Sequence, residues 1–424
     1  MPTALTRRSV LGGAVAASLA LTATPAQAAE RDLLIFIGLD GFDIDYLDGR
    51  VPLPALRSLI RRGSLATSTG VMATITNQSW TAISCGAYPD RTRNAAYFYD
   101  EAAGVARGQS RDSAVEGLGQ AWRRQGVLMG SAQWFILQDK GVAYGDLEGL
   151  YTQPGGRIDA RVDDAIAMLS GEPVNSGGTQ VTLPRRPDFL AIYSSDVDGD
   201  GHSWGPNDPR MLATLRETDA AIGRLINAVR DLRLFARTTW VVTADHGMTT
   251  WNKPLGPQVI AALTGAGFRP EVLGSGGSPT SPDTDVVLVS GGSIGSVHLF
   301  GELGADAAAV RRAEEALGAV TGIAAILTKA DQAKLRMAPQ YGQLVLEFEE
   351  PYALAMTPPA EGSDGRHGSR SELAIPLILS GKAIKPGAEP RAPRHIDLAA
   401  TMSAILGIDP PAASEGRVLT ESLR

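Results

Sequence analysis

Cysteine is almost absent, with Cys85 the one thiol in 424 residues. That excludes an intramolecular disulfide and any thiolate metal site, so stability has to come from core burial and from bound ligands. Histidine is nearly as scarce, at five residues. Positive charge is in deficit too: the formal net charge is −7, which argues against nucleic acid or an anionic membrane as a main partner. Long apolar runs are short of what a bilayer needs, since Val10 to Leu21 does not reach the roughly 20 residues of a membrane span. That run follows Thr6-Arg7-Arg8-Ser9 and precedes Ala26-Gln27-Ala28, the pattern of a twin-arginine (Tat) signal with a cleavage site. Residues 1–28 are therefore read as a signal peptide, the Tat export machinery as a partner, and the mature chain as periplasmic or secreted with no stable membrane anchor. Arg7 and Arg8 leave with the signal and no acidic residue does, so the mature chain is more acidic still.

What the chain has in quantity is hydrophobic residues, at 44%, enough for a large core. Leu33 to Gly38, Phe189 to Tyr193, Trp240 to Thr243 and Ile375 to Leu379 are short apolar runs without alternation, the signature of strands buried on both faces. Helical patterns lie between them. The clearest spans Asp208 to Leu232, with Asp208 as N-cap, Pro209 in the first turn and an apolar stripe from Met211 to Val229. Strands alternating with helices predict an α/β fold, a mainly parallel sheet covered on both sides. Between Trp251 and Gly365 the texture changes to a Gly/Ser/Pro loop, strand candidates at Val286 to Ser290 and Leu344 to Phe348, and a helix near Ala305 to Val320. Residues 251–365 are read as an inserted cap lobe, and 29–250 with 366–424 as the catalytic domain. The helix Ile396 to Leu406, stopped by Gly407, finishes that domain.

In open parallel sheets ligands gather beyond the carboxyl ends of the strands. Asp40, Asp198 and Asp245 each fall within a few residues of such an end, and three carboxylates at one edge repel unless a cation lies between them. His202, His246 and His367 stand in Gly-flanked segments nearby. Mixed His and Asp donors without thiolate point to Zn²⁺ first. Asp196 to Gly201 imitates the start of a calcium loop, D-x-D-x-D-G, but its twelfth position is Asn207 where a bidentate Glu is required. Thr74 lies just ahead of a helix predicted to begin near Asn77, where backbone N–H groups and the positive helix end favour an anion.

Together LDG at Leu39 to Gly41, T-x-x-N at Thr74 to Asn77 followed by GAYPDR, D-x-x-x-H-x-x-G-P from Asp198 to Pro206, ADHGM from Ala244 to Met248 and GRHG from Gly365 to Gly368 resemble the alkaline phosphatase superfamily. The branch they resemble is the type I phosphodiesterase/nucleotide pyrophosphatase family. The resemblance implies an alkaline-phosphatase-like fold and two divalent metal ions, one on Asp198, His202 and His367, the other on Asp40, Asp245, His246 and the Thr74 oxygen. It implies Thr74 as nucleophile through a phosphothreonine intermediate, Asn77 as donor to a phosphoryl oxygen, and Tyr193 beside the leaving group. Ile75 and Thr76 stand where nucleotide-cleaving members carry Phe and Pro, which places Ile75 at the substrate pocket without a stacking ring. The expected substrate is a small phosphate ester, a nucleotide or a phospholipid headgroup. The activity expected is a phosphodiesterase or pyrophosphatase, with a phosphomonoesterase or phosphonate hydrolase as the alternative on the same site.

Overall fold

The structure, a computed structural model, describes residues 31–424; the predicted signal peptide lies outside the described residues. The main strands in chain order are β1 (Leu33–Leu39), β2 (Gly63–Thr69), β3 (Met129–Ala132), β4 (Gly149–Thr152), β5 (Phe189–Ser194) and β6 (Thr238–Thr243). The segment read as a lobe adds β7 (Pro270–Leu273), β8 (Val286–Gly291), β9 (Ile294–Leu299), β10 (Ile323–Thr328) and β11 (Leu344–Phe348). The chain then returns with β12 (Ala374–Gly381).

The central sheet has the order β2-β12-β6-β1-β5-β3-β4. Only β12 runs against the others, pairing antiparallel with both β2 and β6. β1 explains why its sequence shows no alternation. Leu33, Ile35 and Ile37 face one helical layer and Leu34 and Phe36 the other, and all five are at most 1% exposed. The first layer is built by α1 (Pro54–Arg62), α3 (Ile158–Ser170) and α5 (Met211–Asp231); the second includes α2 (Thr76–Cys85) and α8 (Asp397–Leu406). Trp80 of α2, Trp122 and Trp134 fill the second layer against Phe36 and Phe189. Wide rings at that depth contribute roughly 3–5 kcal/mol each, judged from the cost of truncating such side chains. α4 (Asp196–Trp204) leaves the end of β5 directly.

Two boundaries differ from the sequence reading. α5 begins at Met211 rather than Pro209, because Asp208 takes the backbone N–H and guanidinium of Arg210 in a local turn instead of capping the helix. The Asp196–Gly201 stretch is the first part of α4, so it does not form the extended wrap of a calcium loop.

Residues 251–365 carry their own five-stranded sheet, ordered β7-β8-β9-β11-β10, backed by α6 (Gly256–Gly265) and α7 (Ala307–Gly318) around a separate apolar cluster. Their entry and exit are joined by a short antiparallel ladder, Thr249–Trp251 against Asp364–Arg366. Among the described residues, Asp32–Arg424 nonetheless hold together as a single unit, and no helix is long and apolar enough to cross a membrane.

Candidate metal and phosphoryl-transfer site

Three neighbouring strands deliver three carboxylates to one edge. β6, β1 and β5 lie side by side, and their C-terminal ends lead directly into Asp245, Asp40 and Asp198. The turn after Asp40 needs glycine: Gly41 has φ +66° and a Cβ there would lie 2.9 Å from the Asp198 Cα. Gly41 also donates its N–H to Asp245 Oδ1 at 3.2 Å, which ties two of the loops together. Asp198 and His202 are four apart on α4, so they share one face of the helix and meet at 3.3 Å. His367 arrives from the segment leading into β12, with Nε2 3.6 Å from Asp198 Oδ1. His246 Nε2 lies 3.3 Å from Asp40 Oδ1 and 3.2 Å from Asp245 Oδ2.

The residues fit a pair of divalent cations on three observations. Asp40 Oδ1, Asp198 Oδ1 and Asp245 Oδ2 are buried without a hydrogen-bond partner, which is costly for carboxylates unless a cation is meant to face them. Each histidine points its Nδ1 at a backbone carbonyl: His202 at Gly365 (2.9 Å), His246 at Gly247 (2.9 Å) and His367 at Thr74 (2.7 Å). A carbonyl only accepts, so Nδ1 carries the proton and Nε2 is left to bind metal, the usual outer-shell arrangement for imidazole ligands. Finally, the Nε2 atoms of His202 and His367 face each other at 3.2 Å, where two lone pairs repel unless a proton or a metal stands between. Asp198, His202 and His367 converge as one donor group, and Asp40, Asp198 and His246 as another that shares Asp198.

The electrostatics of the metal-free protein follow from this crowding. Burial and the charges of Asp40 and Asp198 drive the Asp245 carboxyl well above the usual range. Burial opposes charge on His202, but the Asp198 carboxylate overcomes it and raises the ring to about 9. His246 is raised in the same way, against burial, by Asp40. Burial, with His246 and His202 as neighbours, pushes His367 far down, so it is neutral. Protons thus take the place of cation charge.

Thr74 does not face this site. It is fully buried, and its hydroxyl accepts from the Gly368 N–H at 2.8 Å and points at the Ser369 carbonyl (3.0 Å) and Glu372 (3.3 Å). The hydroxyl that does is Thr76, with Oγ1 3.2 Å from His246 Nε2. A tight turn, in which the Ile75 N–H binds the Ala73 carbonyl at 2.8 Å, swings the chain between the two threonines, and Thr76 becomes the first residue of α2. The signal for it was present: a hydroxyl at a helix N-terminus next to Asn77. Asn77 stands at the mouth, its N–H capped by Gln109 Oε1 and its side-chain amide donating to the Ser110 carbonyl, both at 2.9 Å. Ile75 is 1% exposed and packs with Met72, Ile294 and Tyr341, so it belongs to the core and not to a substrate pocket. Tyr193 is also buried, edge-on to Trp80 and Phe135, and its hydroxyl donates to Asp40 Oδ2. Its place is behind a ligand rather than beside a leaving group. Gln109 and Glu372, which had no motif to mark them, are the other residues the sequence reading missed.

His298 and His395 stand apart from the ligands. His298 Nε2 lies 3.0 Å from the Tyr99 N–H and 2.9 Å from the Ser296 hydroxyl, and His395 is wholly buried.

Comparison with known proteins places these observations. The chain is 26% identical over 224 residues to a Xenopus laevis bis(5'-adenosyl)-triphosphatase and 24% identical over 250 residues to rat ectonucleotide pyrophosphatase/phosphodiesterase family member 7. Those alignments cover 51% and 55% of this chain and 47% and 54% of the relatives, about half their length. Human ectonucleotide pyrophosphatase/phosphodiesterase 5 superposes with a TM-score of 0.70 at 17% identity, covering 93% of this chain and 100% of that one. The murine protein of the same name, in an inactive form complexed with AMP, superposes at 0.67 with 17% identity over 90% of this chain and 96% of that one. The family model described as type I phosphodiesterase/nucleotide pyrophosphatase matches residues 34–369, and the chain belongs to that family of phosphoric ester hydrolases within the alkaline phosphatase superfamily.

Proposed function

We propose that this chain hydrolyses small phosphodiesters or pyrophosphates through a phosphothreonine intermediate on Thr76. The observation that carries the reading is the Thr76 hydroxyl 3.2 Å from His246 Nε2, beside three buried carboxylate oxygens that have no partner. Two divalent cations held by Asp198, His202 and His367 and by Asp40, Asp245 and His246, zinc by the character of the donors, would supply charge to the attacking and leaving oxygens of an in-line displacement. Thr76 loses its hydroxyl proton to water, its Oγ bonds to phosphorus, and the bond from phosphorus to the leaving oxygen breaks, that oxygen taking a proton from water as it departs in the first product. Water then attacks the same phosphorus, releasing Thr76 and a phosphomonoester. Asn77 holds its side chain at the mouth through Ser110, leaving its second amide N–H to donate to a nonbridging oxygen.

Diesters are favoured over monoesters because, among the described residues, no Lys or Arg side chain bonds to Thr76, Asn77 or the six ligands. Among the described residues, a monoester's additional charge meets no Lys or Arg held on these groups. The test is kcat/KM for bis(p-nitrophenyl) phosphate against p-nitrophenyl phosphate with the zinc-loaded protein. A ratio well above one is expected; one well below it transfers the reading to a phosphomonoesterase or phosphonate hydrolase. Nucleotides, the class named for the curated relatives, and phospholipid headgroups are the substrates to screen first. The twin-arginine pattern of residues 1–28 supports export of the folded chain to the periplasm or beyond. Retention of an R7K/R8K variant in the cytoplasm tests that.

A further inference from the structure

Glu372 does none of the chemistry above, yet this one buried side chain ties together the loops that lead to Thr76, His246 and His367. It is 1% exposed. Around its Oε2 lie the N–H groups of Ser369 (2.8 Å) and Gly368 (3.2 Å) and the hydroxyls of Ser369 (2.9 Å), Ser293 (3.0 Å) and Thr74 (3.3 Å). Its Oε1 accepts from the Thr249 hydroxyl at 2.7 Å. Its backbone carbonyl accepts from the Gly247 N–H at 2.9 Å, and Gly247 in turn holds His246 Nδ1.

Four separate segments therefore meet at one carboxylate: the loop that leads into Thr76, the loop that carries His246, the loop that carries His367, and the β8–β9 hairpin. The last is unexpected, because that hairpin belongs to the inserted lobe. Its turn is pressed onto the ligand loop: the Ser293 N–H donates to the His367 carbonyl at 2.9 Å, and the Ser293 hydroxyl accepts from the Ser369 N–H at 3.1 Å. Gly292, at φ +69°, has the His367 carbonyl oxygen 2.1 Å from where a Cβ would stand, so no other residue fits there without moving the ligand loop.

We propose that Glu372 is the positioning residue that fixes His246 and His367 relative to Thr76, and that Ser293 makes the inserted lobe part of that lock. The idea rests on the two-cation reading of the site. Partners of this kind, one shell behind the ligands, typically change metal affinity or activity by about 10–100-fold when removed.

The experiment compares E372Q, S293A and D219N in the full chain. Asp219 is buried as deeply but accepts only from the Ala55 and Leu56 N–H groups of α1, so D219N is the purely structural control. Zn²⁺ affinity is measured by competition with a chromophoric chelator, the ligand field by the visible spectrum of the Co²⁺ form, and the fold by circular dichroism. E372Q is expected to keep its fold, bind Zn²⁺ about 10–100-fold more weakly, shift the Co²⁺ bands and lose kcat with little change in KM. D219N should lose thermal stability and none of these. If E372Q does not fold, S293A carries the test, with a smaller loss of affinity and a shifted Co²⁺ spectrum. A folded E372Q with the wild-type affinity and spectrum overturns the proposal, and an unchanged S293A removes the lobe from it. Wild-type protein that binds no Zn²⁺ would instead overturn the reading of the metal site itself.

Discussion

Replacing Thr76 and Thr74 by alanine, one at a time, separates two hydroxyls that stand two residues apart and serve opposite ends. The Thr76 hydroxyl has one polar neighbour, His246 Nε2 at 3.2 Å, so its loss leaves no other buried group unpaired and changes stability by at most about 1 kcal/mol. If it is the nucleophile, turnover falls by roughly 10⁴-fold or more, the scale seen when an enzyme's attacking hydroxyl is deleted. Thr74 is the reverse. Its hydroxyl receives the Gly368 N–H at 2.8 Å and reaches the Ser369 carbonyl at 3.0 Å, and removing it strands buried polar groups at a cost of about 1–3 kcal/mol. For a chain of this size that is a fall in Tm of about 1–4 °C. Activity should drop only about 10–100-fold, through displacement of the His367 loop. The assay is turnover of bis(p-nitrophenyl) phosphate with the zinc-loaded protein, alongside thermal melts of both variants. A T74A protein that melts normally and turns nothing over, beside a T76A protein that remains active, would refute the assignment.

Other outcomes follow from the same geometry. Tyr193→Phe removes the hydroxyl that donates to Asp40 and orients it; loss of an outer-shell partner of this kind typically weakens metal binding about 10–100-fold, and an unchanged Zn²⁺ dissociation constant would separate Tyr193 from the site. Zn²⁺ binding at pH 7 should release at least one proton, because in the metal-free protein Asp198 keeps His202 protonated up to about 9. His202's own contribution to metal-free stability is complete below about 6.5, its unfolded value, and is lost as pH rises through about 9. Calorimetry in two buffers of different ionisation enthalpy reads the release; a buffer-independent heat at pH 7 would contradict it. His298 and His395 run the other way, since burial holds both down to about 3. Between about 3 and 6.5 the unfolded chain binds their protons and the native fold does not, so stability falls with pH, by up to about 2 kcal/mol per histidine at pH 5. His395→Gln should flatten denaturant midpoints between pH 5 and 6.5, and an unaltered slope would count against the argument.

The elements legible in the sequence are those whose pattern is set by burial alone. β1, β5, β6 and β12 are apolar on both faces and so read as uninterrupted runs; Asp40, Asp198 and Asp245 follow β1, β5 and β6 within four residues, and His367 precedes β12. Side-chain direction was not legible where the backbone departs from regular geometry. The turn at Ala73–Ile75 decides that Thr76 rather than Thr74 looks into the site, and no periodicity encodes it. Tyr193 was misplaced for a related reason: as the penultimate residue of β5 its ring faces the tryptophan layer, and only its hydroxyl returns to Asp40. Glu372 had no signature because it works through backbone and hydroxyl groups of segments scattered along the chain. The lobe's strands β8 and β11 were readable as apolar runs, but nothing in them announced that the hairpin beginning with β8 would press on His367.

The reversed strand β12 also dictates an order of events in time. It lies between β2 and β6, so β6 keeps an open edge and β2 stays unjoined to the sheet until residues near 380 have left the ribosome, and the junction of β2 with the rest of the sheet is the last part to zip up. The same stretch of chain brings His367 and Glu372, so closing the sheet and completing the proposed metal site become one late event. Pairings of such long sequence separation are slow to form, and a nascent chain stalled before β12 exposes two unpaired edges to aggregation. Metal loading on the proposed site would therefore report that synthesis has run past residues 251–365 and that the chain has closed on itself.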